Sequence, residues 1–138
     1  LIIVDSLNGY MHAMPDGKFL ILQMHELLSY LGQKGVVSIL VLAQQGVINP
    51  ADTPVDISYL SDALIMQRYF EHEGTIRRAL SVVKKRSGWH ENTVREFRLS
   101  ADGIQVGPPL SGLDGILSSA PQYTGDPARL LPDEHDYA

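Results

Sequence analysis

The sequence predicts an α/β fold in which parallel strands flanking a helix give way to an antiparallel β extension. Two near-continuous apolar runs, LIIV at residues 1–4 and VVSILVLA at 36–43, bracket a stretch of helical periodicity. That is the order of a strand–helix–strand unit, whose crossover is right-handed. From Asp62 onward short segments alternate with tight, Gly-containing turns, the pattern of antiparallel strands. With 138 residues and 44% hydrophobic side chains, the chain is large enough for a globular domain with a core of its own.

The first run ends in Asp5. Four apolar side chains in succession predict a strand buried on both faces, with the aspartate at its carboxyl end. Asn8-Gly9 then reads as a turn, Met11-His12-Ala13-Met14 as loop packing, and Pro15-Asp16-Gly17 as the end of that loop, with Asp16 placed to cap a helix. Leu20, Met24, Leu27, Leu28 and Leu31 follow at helical spacing with polar residues between them, and Gly32 and Gly35 mark the stop. VVSILVLA is the second buried strand. Residues 44–56, with two prolines, a glycine and several Asn and Asp residues, form a long loop at the carboxyl end of that strand, where ligands bind in parallel sheets. ALIMQRYF, IRRALSVVKKR, TVREFRL and IQV are the antiparallel strands, EHEGT and Asp102-Gly103 their turns. Beyond Gly107 the chain is rich in Gly, Pro and Ser and ends in PDEHDYA, a tail expected to have little core of its own.

Composition excludes several functions. Eleven Lys and Arg residues against sixteen Asp and Glu give a net charge of −5, which opposes general affinity for nucleic acid or an anionic membrane. There is no cysteine, so disulfide and thiolate chemistry are absent and a reducing compartment is the simpler expectation. No apolar run reaches the roughly 20 residues a membrane span needs, and no signal peptide is visible. A cytoplasmic protein is expected. The five histidines, at 12, 25, 72, 90 and 135, lack zinc-ligand spacing.

Two features suggest chemistry. An aspartate at the tip of a parallel strand can orient water on Mg²⁺ beside nucleotide phosphates, although a capping role is the ordinary alternative. Its usual companion, G-x-x-x-x-G-K-[ST], does not occur in these residues: Gly17-Lys18 has neither the upstream glycine nor a following Ser or Thr. The second feature is VVKKRSGWHENTVREF, residues 82–97. Strand alternation places Ile76, Arg78, Leu80, Val82, Lys84 and Arg86 on one side and Lys85 on the other. Lys84 and Arg86, leading into Ser87-Gly88, make a suitable phosphate clamp. The alternative is a sheet edge protected from aggregation by charge.

The acidic strand tip, the Ser61-Asp62 strand entry and above all KKRSGWHENTVREF resemble the RecA-type ATPase domain of the KaiC family, the circadian-clock ATPases and their bacterial relatives. The resemblance runs from Leu1 to about residue 117 and is closer to the second of the two domains of the clock protein, where a Lys-x-Arg-x-x-Trp-His-x-x-x-x-Arg-Glu-Phe string occupies the same place. It implies a partial RecA-like P-loop NTPase fold without the P-loop strand, and a division into residues 1–117 and an acidic, flexible tail, 118–138. By the same resemblance, Asp5 is the Walker B aspartate acting on Mg²⁺ through water, and Gln44 or Gln45 approximates the polar sensor. Lys84 and Arg86 reach the phosphates of ATP held by a neighbouring subunit, with Ser87 and His90 close by. Ser58 stands where the clock proteins carry the serine of an autophosphorylated Ser-Thr pair, and Tyr59 replaces the threonine.

The resemblance also implies a start in mid-fold, since the phosphate-loop strand of RecA-like ATPases precedes the Walker B strand and lies between the strands ending here at Ala43 and beginning near Ala63. The two edges so exposed are expected to pair with each other or to be buried in an oligomer. Two functions stay open. One is part of a hexameric ring ATPase or Ser/Thr autokinase, using ATP and Mg²⁺, inactive and unable to bind ATP as this chain alone. The other is a non-catalytic signalling or interaction module of the same fold. DNA recombination is disfavoured, because residues 44–56 hold no Lys or Arg.

Overall fold

The computed structural model describes residues 1–14, 16–43, 60–117 and 121–132. The chain divides into two compact units, Leu1–Ser61 and Asp62–Ala138. Among the described residues they carry a two-stranded and a six-stranded sheet respectively, the mixed parallel and antiparallel α/β architecture of a partial RecA-like ATPase domain.

In the first unit, β1 (Ile2–Asp5), α1 (Leu7–Ala13), α2 (Gly17–Gln33) and β2 (Ser38–Val41) follow in order. The strands are parallel, with Ile2 opposite Ser38 and Asp5 opposite Val41. Asp16 caps α2 by accepting the Lys18 amide at 2.9 Å, satisfying one of the donors that a helix start leaves without an intrahelical partner. Gly35, at φ 67°, takes the left-handed conformation that turns the chain from the helix into β2. Leu7, Leu20 and Met24 are the buried core, with Met11, Met14, Leu40, Leu42 and Leu60 packed around them.

Two expectations need correction here. Residues 7–13 are a helix rather than a turn and loop. Leu7, Met11 and Met14 recur at i, i+4 and i+7, so one face of a short helix meets the core, and this outweighs the turn tendency of Asn8-Gly9. The strands, secondly, are not buried on both faces. Leu40 and Leu42 turn toward the helices, while Ile39 and Val41 are exposed, as is Ile3 at 59%. The helices cover one face of this sheet, and a continuous apolar run signals burial only where both faces are covered.

The second unit is a sheet in the order β6-β5-β4-β3-β8-β7, built from β3 (Ala63–His72), β4 (Thr75–Lys85), β5 (Val94–Ser100), β6 (Gly103–Pro109), β7 (Leu113–Asp114) and β8 (Gln122–Tyr123). The hairpins fall at or beside the expected turn residues: Glu73-Gly74 joins β3 to β4, while β5 and β6 are joined by Ala101-Asp102, with Gly103 already paired opposite Ser100 as the first residue of β6. Phe70, Ala79, Leu110 and Tyr123 form the core, with Val94, Leu113, Ile116 and Leu130 against it. Residues 121–132 thus contribute to the core although composition assigns them to a tail. Tyr123 is the reason, since it is 5% exposed and packs edge-on against Phe70. Among the described residues β2 belongs to the two-stranded sheet of the first unit and β3 to the six-stranded sheet of the second.

Candidate functional site

Asp5 ends β1 with its side chain exposed, at the carboxyl edge of the parallel pair. The next peptide, Asp5–Ser6, is cis, and Ser6, in extended conformation, is the N-cap residue that precedes α1. The ladder stops at Asp5 and Val41, yet β2's direction continues through Leu42 to Ala43. There the Asn8 side chain takes over. Its Oδ1 accepts the Ala43 amide at 2.9 Å and its Nδ2 donates to the Ala43 carbonyl at 2.7 Å. Sequence reading assigns Asn8 to a turn and misses this role, because the partner lies 35 positions away. Gln44, Gln45 and Ser58 lie outside the described residues.

In the second unit the basic segment closes β4. Lys84 pairs with Leu64, but Val82 pairs with Ile65, so Val83 is an extra residue and a bulge interrupts the alternation between Val82 and Lys84. Arg86 follows the strand in a bend. Its amide donates to the Asp62 carbonyl at 2.6 Å and its Nε lies 3.2 Å from Asp62 Oδ1. Both side chains of this ion pair are largely solvent-exposed, so it contributes little to stability, and it is a contact the sequence pattern did not reveal. Gly88, at φ 77°, reverses the chain, Lys85 Nζ donates to the Trp89 carbonyl at 3.3 Å, and Trp89 is 84% exposed. Ser87 is exposed and His90 half-buried in the same turn.

After this turn, Glu91 accepts from the Thr93 hydroxyl and from Arg95 Nε, the latter at 2.9 Å. The Thr93 hydrogen bond first, and then that from Arg95, hold its carboxyl below the usual carboxylate range. Arg95 also donates to the Gly107 carbonyl at 2.8 Å, so this pair fixes the entry to β5. Glu96 points to the other side, toward Arg77 and Leu131. A cavity of about 230 Å³ opens there, lined by residues that include His72, Arg77, Leu130 and Leu131. It contains none of the site residues that the sequence suggests.

Among the described residues no group of three or more His, Cys, Asp or Glu is arranged to hold a metal. A lone strand-tip carboxylate does fit Mg²⁺, which keeps several waters and is bound through one or two carboxylates together with substrate phosphates. No helix among the described residues is long and apolar enough to cross a membrane.

Comparison with known proteins gives this geometry its context. The family model described as "ATPase: KaiC" matches residues 1–111. The circadian clock protein KaiC3 of Synechocystis sp. is 38% identical over 72 residues, 52% of this chain and 14% of that protein. The circadian clock oscillator protein KaiC of Parathermosynechococcus lividus is 37% identical over 82 residues, 59% of this chain and 14% of its own length. That of Synechococcus elongatus is 33% identical over 82 residues, 59% of this chain and 15% of its own. The matched part of the chain therefore spans only about one seventh of these relatives.

Proposed function

The chain belongs to the KaiC ATPase family, and on that premise we propose that it supplies two parts of the nucleotide machinery of a ring-forming ATP hydrolase. Asp5 is the Walker B carboxylate of its own copy's site. Lys84 and Arg86 act in trans, on phosphates held by the neighbouring copy. The observation that carries this reading is the exposed Asp5 at the carboxyl end of a parallel strand pair, the edge at which open α/β sheets receive ligands.

Asp5 would hold Mg²⁺ through water, and the ion would supply charge neutralisation to the nucleotide phosphates. Arg86 offers a planar fork matched to phosphate oxygens and Lys84 a compact point charge. Ser87 and His90 flank that contact, and Gln44 or Gln45 serves as the polar sensor at the mouth of β2. Ser58 is the candidate phosphoryl acceptor of an autokinase reaction, and Tyr59 in the neighbouring position limits such a cycle to one site. The working form is a hexamer in the cytoplasm. These 138 residues, which contain no phosphate-cradling loop, do not bind ATP by themselves.

Nucleotide titration of the full-length protein and of the 138-residue chain, each with Mg²⁺, tests this reading. Tight Mg-ATP binding by the full-length protein and none by the shorter chain is expected. Failure of the full-length protein to bind Mg-ATP would leave the competing reading, a non-catalytic interaction module.

A further inference from the structure

We propose that Asn8 is a positioning residue, a side-chain rung that fixes the strand tip carrying Asp5. The argument begins with a hydrogen-bond count. A parallel ladder satisfies the backbone of β2 only as far as β1 extends, and β1 leaves the sheet after Asp5 to enter α1. Ala43 lies two residues past the last ladder pair, so its amide and carbonyl would lose their strand partners.

A primary amide carries a donor and an acceptor on one carbon, as a peptide group does. Asn8 uses both on the single residue Ala43, at 2.7 and 2.9 Å, and so extends the ladder with a side chain. Leu7, fully buried, anchors the same turn from below. The two residues between Asp5 and Asn8 are therefore held by the ladder behind them, by the core beneath them and by Ala43 across from them. Asp5 itself stays exposed, so its direction depends on this turn rather than on packing of its own.

The inference rests on the reading of Asp5 as the metal-facing carboxylate. If that reading holds, loss of the rung loosens the carboxylate and weakens metal binding, while leaving the nucleotide contacts made without metal untouched. Asn8→Leu removes both hydrogen bonds while keeping the same branching and number of side-chain heavy atoms. Asn8→Asp keeps the acceptor for the Ala43 amide and places a carboxylate oxygen against the Ala43 carbonyl.

The experiment uses the full-length protein, with Asp5→Asn as the reference variant. Three quantities are read: hydrogen exchange of the Ala43 amide, Mn²⁺ affinity by electron paramagnetic resonance with a non-hydrolysable ATP analogue, and affinity for that analogue in EDTA. For Asn8→Leu we expect Ala43 exchange to rise about tenfold, the scale of one or two lost hydrogen bonds. Mn²⁺ affinity should fall about tenfold, with affinity in EDTA unchanged. Asn8→Asp should fall between parent and Asn8→Leu, and it decides the matter if Asn8→Leu does not fold. Unaltered Mn²⁺ affinity in the folded Asn8 variants, with a marked loss in Asp5→Asn, overturns the role of Asn8 and leaves that of Asp5 standing. Unaltered affinity in Asp5→Asn overturns the reading of Asp5 and this inference with it.

Discussion

Glu96 accepts the main-chain amide of Leu131 at 2.6 Å through Oε2, while its Oε1 accepts from Arg77 Nη1 at 3.0 Å. Arg77 in turn donates to the Leu131 carbonyl at 2.9 Å, and Arg98 to the same carbonyl at 3.3 Å. Both groups of a Leu131 peptide strap are thus gripped by an ion pair whose side chains are only 10% and 3% exposed. Glu96 is the middle residue of the Arg-Glu-Phe string that carries the family resemblance, and its visible work in this structure is to bind the Leu131 strap to the sheet.

This grip should dominate the stability of the second unit. Removing one member of a buried pair leaves the other charged and uncompensated, at a cost of about 3–5 kcal/mol. Glu96→Ala is expected to lose that much in urea unfolding and to free residues 121–132 to proteolysis. Glu96→Gln, which still accepts from Leu131, should lose less. A loss below about 1 kcal/mol for Glu96→Ala would show that the pair does not hold the strap.

The strap passes the sheet at a point with no room for a side chain. A Cβ on Gly125 would lie 2.7 Å from the Tyr123 ring and collide with the Ser111 carbonyl, and one on Gly112 would lie 2.7 Å from the Gly125 Cα. The obstacles include main chain, which cannot rotate away. Gly125→Ala should therefore cost about 3 kcal/mol, at the upper end of overpacking effects, and lower the melting temperature. Gly32→Ala, with open space around it and inside α2, should instead be neutral or stabilising.

Tyr123 gives the stability a pH dependence. Burial above all, and then the Asp126 charge, push its phenol above the ordinary value near 10, with Arg129 opposing. The folded state thus holds the phenolic proton more tightly than the unfolded chain does. The associated stability is complete below pH 10 and is lost as the pH rises through the folded value. Tyr123→Phe forfeits the hydrogen bond to the Asp126 carbonyl, 2.8 Å long, so at pH 8 it should be about 1 kcal/mol less stable. That difference should shrink as the pH rises above 10, measured by urea midpoint. A constant difference would show that the phenol does not titrate with unfolding.

The elements most legible in the sequence are those fixed by local pattern. Period-two alternation and the Glu73-Gly74 and Asp102-Gly103 signals point to the antiparallel hairpins, the second loop falling one residue earlier at Ala101-Asp102, and Asp16 marks the start of α2. What stayed hidden depends on partners distant in sequence. Asn8 looks like a turn residue until Ala43 is beside it, and Arg86 looks like half of a clamp until Asp62 is seen against it. Residues 121–132 look like tail by composition, because what binds them is one core aromatic, Tyr123, together with the Glu96 and Arg77 contacts to Leu131. The bulge at Val83 has no sequence mark at all, and it bears directly on which way Lys84 points.

The trans arrangement of Lys84 and Arg86 can be separated from any structural role they have. Their removal should leave the fold intact, because the Arg86–Asp62 pair is exposed and worth less than about 1 kcal/mol. In the full-length protein, Lys84→Ala with Arg86→Ala should keep Mg-ATP binding while turnover falls by about 10³-fold, as when a trans-acting arginine is withdrawn. Asp62→Ala, which breaks the pair but spares the cations, should turn over within a few-fold of the parent. Complementation then decides the geometry. Rings of the clamp-deficient variant and rings of Asp5→Asn are each inactive, but mixed rings contain interfaces at which an intact Asp5 faces an intact Lys84 and Arg86. Random assortment of equal amounts makes about a quarter of the interfaces productive, so the mixture should recover activity toward that fraction. A mixture that exchanges subunits and stays inactive would place the acid and the cations in the same copy's site, and the trans clamp would be abandoned.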